Sequence, residues 1–214
     1  MNWVRYGPNA VLFRFAERGG DEAFARGCAI AAELNRNPPA GMAEFVPAFT
    51  TVLVTFETAE QALAAAADLA RTLERCAAKT VERKDVKEIP VVYDGADLGR
   101  VAEAHGLTVE QVAEIHSAPT YKVCMLGFSP GFPYLGDLDA RLHTPRLPSP
   151  RTRVAGGSVA IGGSHTGIYS VDGPGGWNII GRTTARLFDA TMEGEEMFLL
   201  RHGDSVKFVP QRIE

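Results

Sequence analysis

Three arginines, Arg146, Arg151 and Arg153, sit in the segment TPRLPSPRTRV, and guanidinium forks of this kind suit carboxylate or phosphate groups. In an extended chain Arg151 and Arg153 point to one face. They would either hold an anion together or form a solvated charged surface. Two histidines are candidates for proton transfer near neutral pH. His165 lies among glycine turns. His116 shares a helical face with Val109, Val112 and Ala113, so it points inward, where a hydrogen-bonded core histidine is the ordinary alternative to general acid/base work. Gly162-Gly163-Ser164 can present backbone N–H groups to an anion or make a plain β turn.

Two motifs nearby fail on specific residues. Gly127-Phe128-Ser129-Pro130-Gly131 matches G-x-S-x-G, but a nucleophile elbow needs an N–H on the residue after Ser, and Pro130 has none. Gly157 to Ser164 approaches the phosphate-binding G-x-x-x-x-G-K-[ST], but Gly163 stands where the Lys belongs. No His, Cys and acid cluster has metal-ligand spacing.

All these residues except His116 fall within Cys124 to Arg182, of which roughly a fifth is Gly. Gly and Pro at that density exclude helix and require tight turns. The segment therefore reads as a ligand surface of turns on a β scaffold. Whole-chain numbers narrow the function. With 214 residues, 45% hydrophobic and 22% charged, the chain can bury a core in one or two domains. A net charge of −4 argues against a nucleic-acid footprint, which needs a basic face. The opening MNWVRYGPNAV has no apolar leader core and no run reaches membrane-span length, so a cytoplasmic location is expected. Cys28, Cys76 and Cys124 are widely spaced and read as buried free thiols.

The elements that must position this surface fall into two groups. Val11–Phe15, Met42–Phe49, Thr51–Phe56 and Val86–Tyr93 read as strands. Helices at Asp21–Asn35 and from the N-cap Thr58 to about Cys76 separate them. This β-α-β-β-α-β order predicts a ferredoxin-like domain over residues 1–87. Residues 88–214 open with short helices at Asp97–His105 and Thr108–Ser117, the second carrying a Thr108/Gln111 capping box. A strand at Tyr121–Phe128, the glycine-rich stretch and two closing strands at Glu196–Arg201 and Ser205–Pro210 predict a closed β barrel. The class is α+β.

The segments GFSPGFPYLGDLD, TPRLPSPRTRV, GSVAIGGSHTGIY and GPGGWNIIGRT, together with the Thr108–His116 helix and the GDSVKFVP ending, closely resemble the 5-oxoprolinase B-subunit family, also called the KipI or allophanate hydrolase subunit 1 family. The resemblance covers essentially the whole chain and is strongest over Tyr121 to Thr183. It implies a small α/β domain followed by a cyclophilin-like barrel. It also implies work with two partners, a C subunit (allophanate hydrolase subunit 2-like) and an A subunit, to hydrolyse 5-oxoproline to glutamate at the expense of ATP, with magnesium. The same domain pair forms the carboxyl-transfer part of urea carboxylase, and the KipI branch inhibits a sporulation histidine kinase. On this resemblance His116, Arg153 and His165 would be catalytic. Arg146, Arg151, Gly162, Gly163, Ser164, Thr166 and Tyr169 would bind substrate or nucleotide. Phe128, Pro130, Phe132, Tyr134 and Trp177 would wall the pocket or meet the C subunit. The chain departs from the common pattern at Ala155-Gly156, at His165 where Gln is usual, and at Ser170 where Pro is frequent.

Overall fold

The computed structural model describes residues 1–76 and 86–213, and the chain divides into two compact units, Met1–Glu82 and Arg83–Glu214. The first holds β1 (Asn2–Arg5), β2 (Ala10–Arg14), α1 (Asp21–Arg36), β3 (Met42–Ala48), β4 (Thr51–Phe56) and α2 (Ala59–Glu74). Apolar alternation makes β4 a half-buried strand, with Val52, Val54 and Phe56 inward and the intervening residues half-exposed. Thr58 caps α2 as its type predicts, in a reciprocal capping box with Gln61. The four strands form an antiparallel sheet in the order β1-β2-β4-β3. Since β4 is antiparallel to both β2 and β3, those two run parallel, and β2-α1-β3 is a split β-α-β unit.

The expected βαββαβ order is corrected here to ββαββα. The edge position beside β2 belongs to the N-terminal strand β1. The predicted sixth element, Val86–Tyr93, is a strand but belongs to the second unit. Its inward residues Ile89, Val91 and Tyr93 find their packing partners in the barrel core.

The second unit is a closed barrel of seven strands: β5 (Val86–Tyr93), β6 (Thr120–Leu126), β7 (Pro133–Leu135), β9 (Ser158–Gly162), β10 (His165–Ile168), β12 (Asn178–Arg182) and β13 (Ser205–Ile213). Around the wall they follow the order β10-β7-β6-β13-β5-β12-β9. A separate ribbon pairs β8 (Arg151–Val154) with β11 (Gly173–Gly175). Between β5 and β6 come α3 (Leu98–His105), ended by Gly106 at φ 65°, and α4 (Val109–Ser117), opened by the predicted Thr108/Gln111 capping box. The whole protein is thus a mixed α/β structure with a closed barrel.

The closing hairpin does not form. Gly194–Met197 is a 3-10 turn, and Leu199 and Leu200 fold onto the barrel core. β13 instead runs parallel to β5 and antiparallel to β6, so the end of the chain closes the wall.

Candidate functional site

Edge-on aromatic rings build a groove of about 400 Å³ on the second unit. Phe132, buried just ahead of β7, is the hub. Its centroid lies 5.0 Å from Tyr134, 5.3 Å from Tyr169, 5.5 Å from Trp177 and 5.5 Å from Phe128, each ring roughly edge to face with it. Pro150, Pro174, Gly175, Gly176 and Leu147 complete the lining. Two glycines are there for close approach. A Cβ on Gly162 would stand 2.8 Å from the Trp177 indole, and one on Gly175 would overlap the Tyr169 hydroxyl.

Phe128 forms the rim, 63% exposed, with φ 76°, a region an aromatic residue adopts only when its surroundings hold it there. Its turn is tied down on both sides. Gly127 N–H donates to the Phe132 carbonyl at 3.1 Å, and the Ser170 hydroxyl donates to the Pro130 carbonyl at 2.5 Å.

The cation of the groove is Arg146. Its guanidinium carbon lies 5.7 Å from the Trp177 ring centroid, and among the described residues no carboxylate pairs with it. Burial pushes the phenols of Tyr134 and Tyr169 upward, outweighing Arg146 at Tyr134 and, at Tyr169, the Trp177 backbone hydrogen bond together with Arg146 and Arg151, so both stay protonated and can donate. His165 opens β10, half-buried, with Nδ1 3.2 Å from the Ser164 hydroxyl. Burial, then the charge of Arg146 and of His143, lowers its pKa against a small opposing pull from Asp137. At neutral pH its imidazole is neutral and can accept a proton.

Several other expected site residues lie elsewhere. His116 is wholly buried in the barrel. The Thr166 hydroxyl donates to the Ala160 carbonyl at 3.1 Å, so His116 Nε2–H must donate to Thr166 Oγ1 at 2.8 Å, leaving Nδ1 to accept from Tyr93 Oη at 2.7 Å. Both ring nitrogens are saturated, Phe208 stacks on the ring at 4.6 Å, and burial lowers the pKa to about 3. His116 and Thr166 therefore belong to a neutral core network with no access to a ligand. Arg153 projects into solvent from β8 and grips Asp172 with Nε at 3.1 Å and Nη2 at 2.6 Å. Arg151 Nη2 is held by the buried Asp97 at 2.9 Å. Each of the two arginines of β8 is bound to its own carboxylate. Gly163 donates its N–H to the Thr144 carbonyl at 2.8 Å, so that amide does not face an anion, and the Gly163-Ser164 pair is an ordinary hairpin turn. Pro130 supplies a carbonyl to the rim turn and does not line the groove.

The structure thus gathers Phe128, Phe132, Tyr134, Arg146, Tyr169 and Trp177 into one surface. It adds Leu147, Pro150, Pro174, Gly175 and Gly176, which sequence reasoning passed over. The sequence cues to them were the Pro/Gly run immediately before Trp177 and the Pro-rich segment TPRLPSPRTRV that holds Leu147 and Pro150.

A barrel unit of this topology carrying such a groove defines a domain class, and sequence comparison identifies it. The family model described as carboxyltransferase domain, subdomain C and D, matches residues 1–200, and the chain belongs to that family. The B subunit of 5-oxoprolinase from Escherichia coli O157:H7 is 48% identical over 173 residues, 79% of this chain and 78% of that protein. The B subunit of 5-oxoprolinase from Bacillus subtilis is 38% identical over 225 aligned positions, 96% of this chain and 93% of that one. Among solved structures, TTHA0988 superposes with a TM-score of 0.81 at 39% identity over 94% of this chain. This chain spans only 40% of the length of TTHA0988.

Proposed function

We propose that this chain is the B subunit of an ATP-dependent 5-oxoprolinase, sharing an active site with a C subunit while an A subunit completes the enzyme. The observation that carries the reading is Arg146, a guanidinium unpaired among the described residues at the mouth of an aromatic groove. 5-Oxoproline is a flat five-membered lactam bearing one carboxylate. Arg146 suits the carboxylate, since a guanidinium fork takes both oxygens, while Trp177, Tyr169 and Phe132 suit the ring. Relatives named as the B subunit of 5-oxoprolinase, at 38% and 48% identity, support the same substrate.

Opening a lactam requires activation of its oxygen. In the proposed reaction the lactam oxygen attacks the γ-phosphorus of ATP and ADP leaves while the lactam nitrogen gives up its proton; water adds to the adjacent carbon, the C–N bond breaks as the nitrogen is reprotonated to give glutamyl phosphate, and a second water releases phosphate and glutamate. Negative charge lies on the transferred phosphoryl group and on the departing ADP and phosphate, and in a partly dry site fixed donors such as the Tyr134 and Tyr169 hydroxyls stabilise it best. His165, neutral at pH 7, is the group beside Arg146 able to take a proton. The proposed catalytic part thus keeps His165, drops His116 and Arg153, and takes in Arg146. Magnesium would enter with the ATP phosphates. No helix in the described residues is long and apolar enough to cross a membrane. An ATP-dependent complex of this kind works in the cytoplasm.

The test combines this chain with the C and A subunits and measures glutamate release that depends on both ATP and 5-oxoproline. Release is expected only from the assembled enzyme, and Arg146→Ala is expected to reduce it. An assembled complex that releases no glutamate, or one indifferent to Arg146→Ala, would overturn the reading.

A further inference from the structure

We infer that Asn178 is the positioning residue that sets Arg146 over Trp177, an inference resting on Arg146 being the substrate-side cation of the proposed reaction. Asn178 opens β12 directly after Trp177 and is wholly buried. Its Nδ2 donates to the Pro145 carbonyl at 3.0 Å and to the Ile161 carbonyl at 3.1 Å, and its Oδ1 accepts from Arg100 Nη2. One side chain therefore joins the β9 wall to the residue immediately before Arg146. A buried amide with every donor and acceptor engaged has a single orientation available.

The loop around Arg146 is fixed at each neighbouring residue. The Thr144 carbonyl accepts from Gly163 N–H at 2.8 Å, and the Thr144 hydroxyl bonds His105 Nε2 at 2.9 Å. Leu147 N–H donates to the Gly176 carbonyl at 2.7 Å. Thr144, Pro145 and Leu147 are thus bound to the barrel through the backbone, while the Arg146 side chain reaches over the indole. Asn178 is in turn steadied from α3. Arg100 Nε lies 3.7 Å from Asp97 Oδ1, and Asp97 also accepts Ile179 N–H at 2.7 Å and Arg151 Nη2 at 2.9 Å. This gives Arg151 a place in the function that differs from ligand binding, as an outer member of the frame that orients Arg146.

The chain has two tryptophans, so Trp3→Phe leaves Trp177 as the only indole and a reporter of the guanidinium above it. In the full-length Trp3→Phe chain, Asn178→Ala is expected to reproduce most of the Trp177 emission change caused by Arg146→Ala, and to add little once Arg146 is already absent. An effect of equal size with and without Arg146, or no effect, would overturn the inference, since independent sites add. In the assembled enzyme, Asn178→Ala is expected to raise KM for 5-oxoproline by about tenfold with kcat held within about threefold, again without adding to Arg146→Ala; this scale matches one charge-assisted hydrogen bond. A KM indifferent to Arg146→Ala would count against the proposed function, while the Trp177 measurement still decides the positioning role. If Asn178→Ala does not fold, Arg100→Ala takes its place, because that side chain is half-exposed and its bond to Asn178 is what links it to the loop. It should shift Trp177 emission in the same direction by a smaller amount, and no shift would refute the inference.

Discussion

The barrel interior and the groove belong to the same unit and put polar side chains to opposite use. In the interior, His116, Tyr93 and Thr166 are polar groups whose hydrogen bonds are all made within the core. In the groove, the polar group Arg146 stands against apolar rings with its charge unpaired among the described residues. A saturated network stabilises and specifies packing, because breaking it strands buried donors and acceptors. An unpaired cation contributes little to folding and leaves its binding capacity for something outside the chain. The difference teaches that residue type nominates a site, and satisfaction of its hydrogen bonds decides whether it is one.

The largest effect expected from breaking this contrast is on His116. Replacing it by Ala removes a stacked ring and strands Tyr93 and Thr166, at a cost of about 3–5 kcal/mol on the scale of buried aromatic truncations. Urea unfolding should show the loss, and any fall in activity should follow the unfolded fraction. The same residue predicts a pH dependence. His116 has a folded-state pKa of about 3 against 6.5 when unperturbed. Below pH 6.5 the unfolded chain therefore binds a proton that the folded chain refuses. Its contribution to stability is fully present above pH 6.5 and is lost as pH falls toward 3, with a slope of up to about 1.4 kcal/mol per pH unit. His116→Asn should shallow the acid limb of the stability curve by about one proton. An unchanged limb would show that the imidazole is not excluded from protonation in the fold.

Arg146 is the counterpart, with a large effect on function and a small one on folding. Arg146→Ala should lower kcat/KM of the assembled enzyme about tenfold to a hundredfold, the equivalent of losing about 1.5–3 kcal/mol of charge-assisted hydrogen bonding. Stability should move by no more than about 1 kcal/mol, the scale of an exposed cation–π contact. Arg146→Lys should recover only part of the loss, because an ammonium keeps the charge and not the fork. If Arg146→Ala instead destabilised the chain as His116→Ala does, the distinction between interior and groove would collapse.

How much of this could be read from residues alone depends on the range of the interaction that decides each question. Local rules served well. The Thr58 N-cap, the Thr108/Gln111 capping box, the β-branched strand at β4 and the inward face of His116 all rest on residues within a few positions of one another. The aromatic wall was legible through the family resemblance, which pointed to Phe128, Phe132, Tyr134 and Trp177, while Tyr169 was expected to bind the ligand. The identity of the unpaired arginine was not visible. Arg151 is bound by Asp97, 54 positions away, and Arg153 by Asp172, 19 positions away. No local pattern marks either carboxylate as a partner. Sheet membership of Val86–Tyr93 was hidden for the same reason, because its alternation fits either sheet and pairing with β12 and β13, both far along the chain, assigns it.

Gly162 sharpens the comparison between core and groove at intermediate cost. Its sequence context left an anion-binding turn and a plain β turn both open, and the structure shows a seat for Trp177. Gly162→Ala drives a methyl into the indole, which must shift toward the groove. Overpacking of this kind costs about 1–3 kcal/mol. Narrowing of the groove should raise KM for 5-oxoproline as well, visible in steady-state kinetics at temperatures where the variant is fully folded. A rise in KM without loss of stability would mean that the indole moves freely and that the groove is less rigid than its ring packing implies.

The smallest effect is expected at Arg153, and it tests the same principle from the other side. Arg153 has the charge and the geometry of a ligand-binding residue, yet its fork already holds Asp172. The side chains are 79% and 52% exposed, and solvent screens the pair. Arg153→Ala should therefore change stability by less than about 1 kcal/mol, and that small change should fade as salt is raised toward about 1 M. Activity of the assembled enzyme should stay within about twofold of wild type at low and high 5-oxoproline. The Asp172 carboxylate also accepts Gly156 N–H at 2.9 Å, so the ribbon keeps one anchor when the arginine is gone. A severe activity loss with intact folding would mean that a ligand or partner outcompetes Asp172 for this guanidinium, and that an arginine with a carboxylate partner in the free chain can still be a site residue.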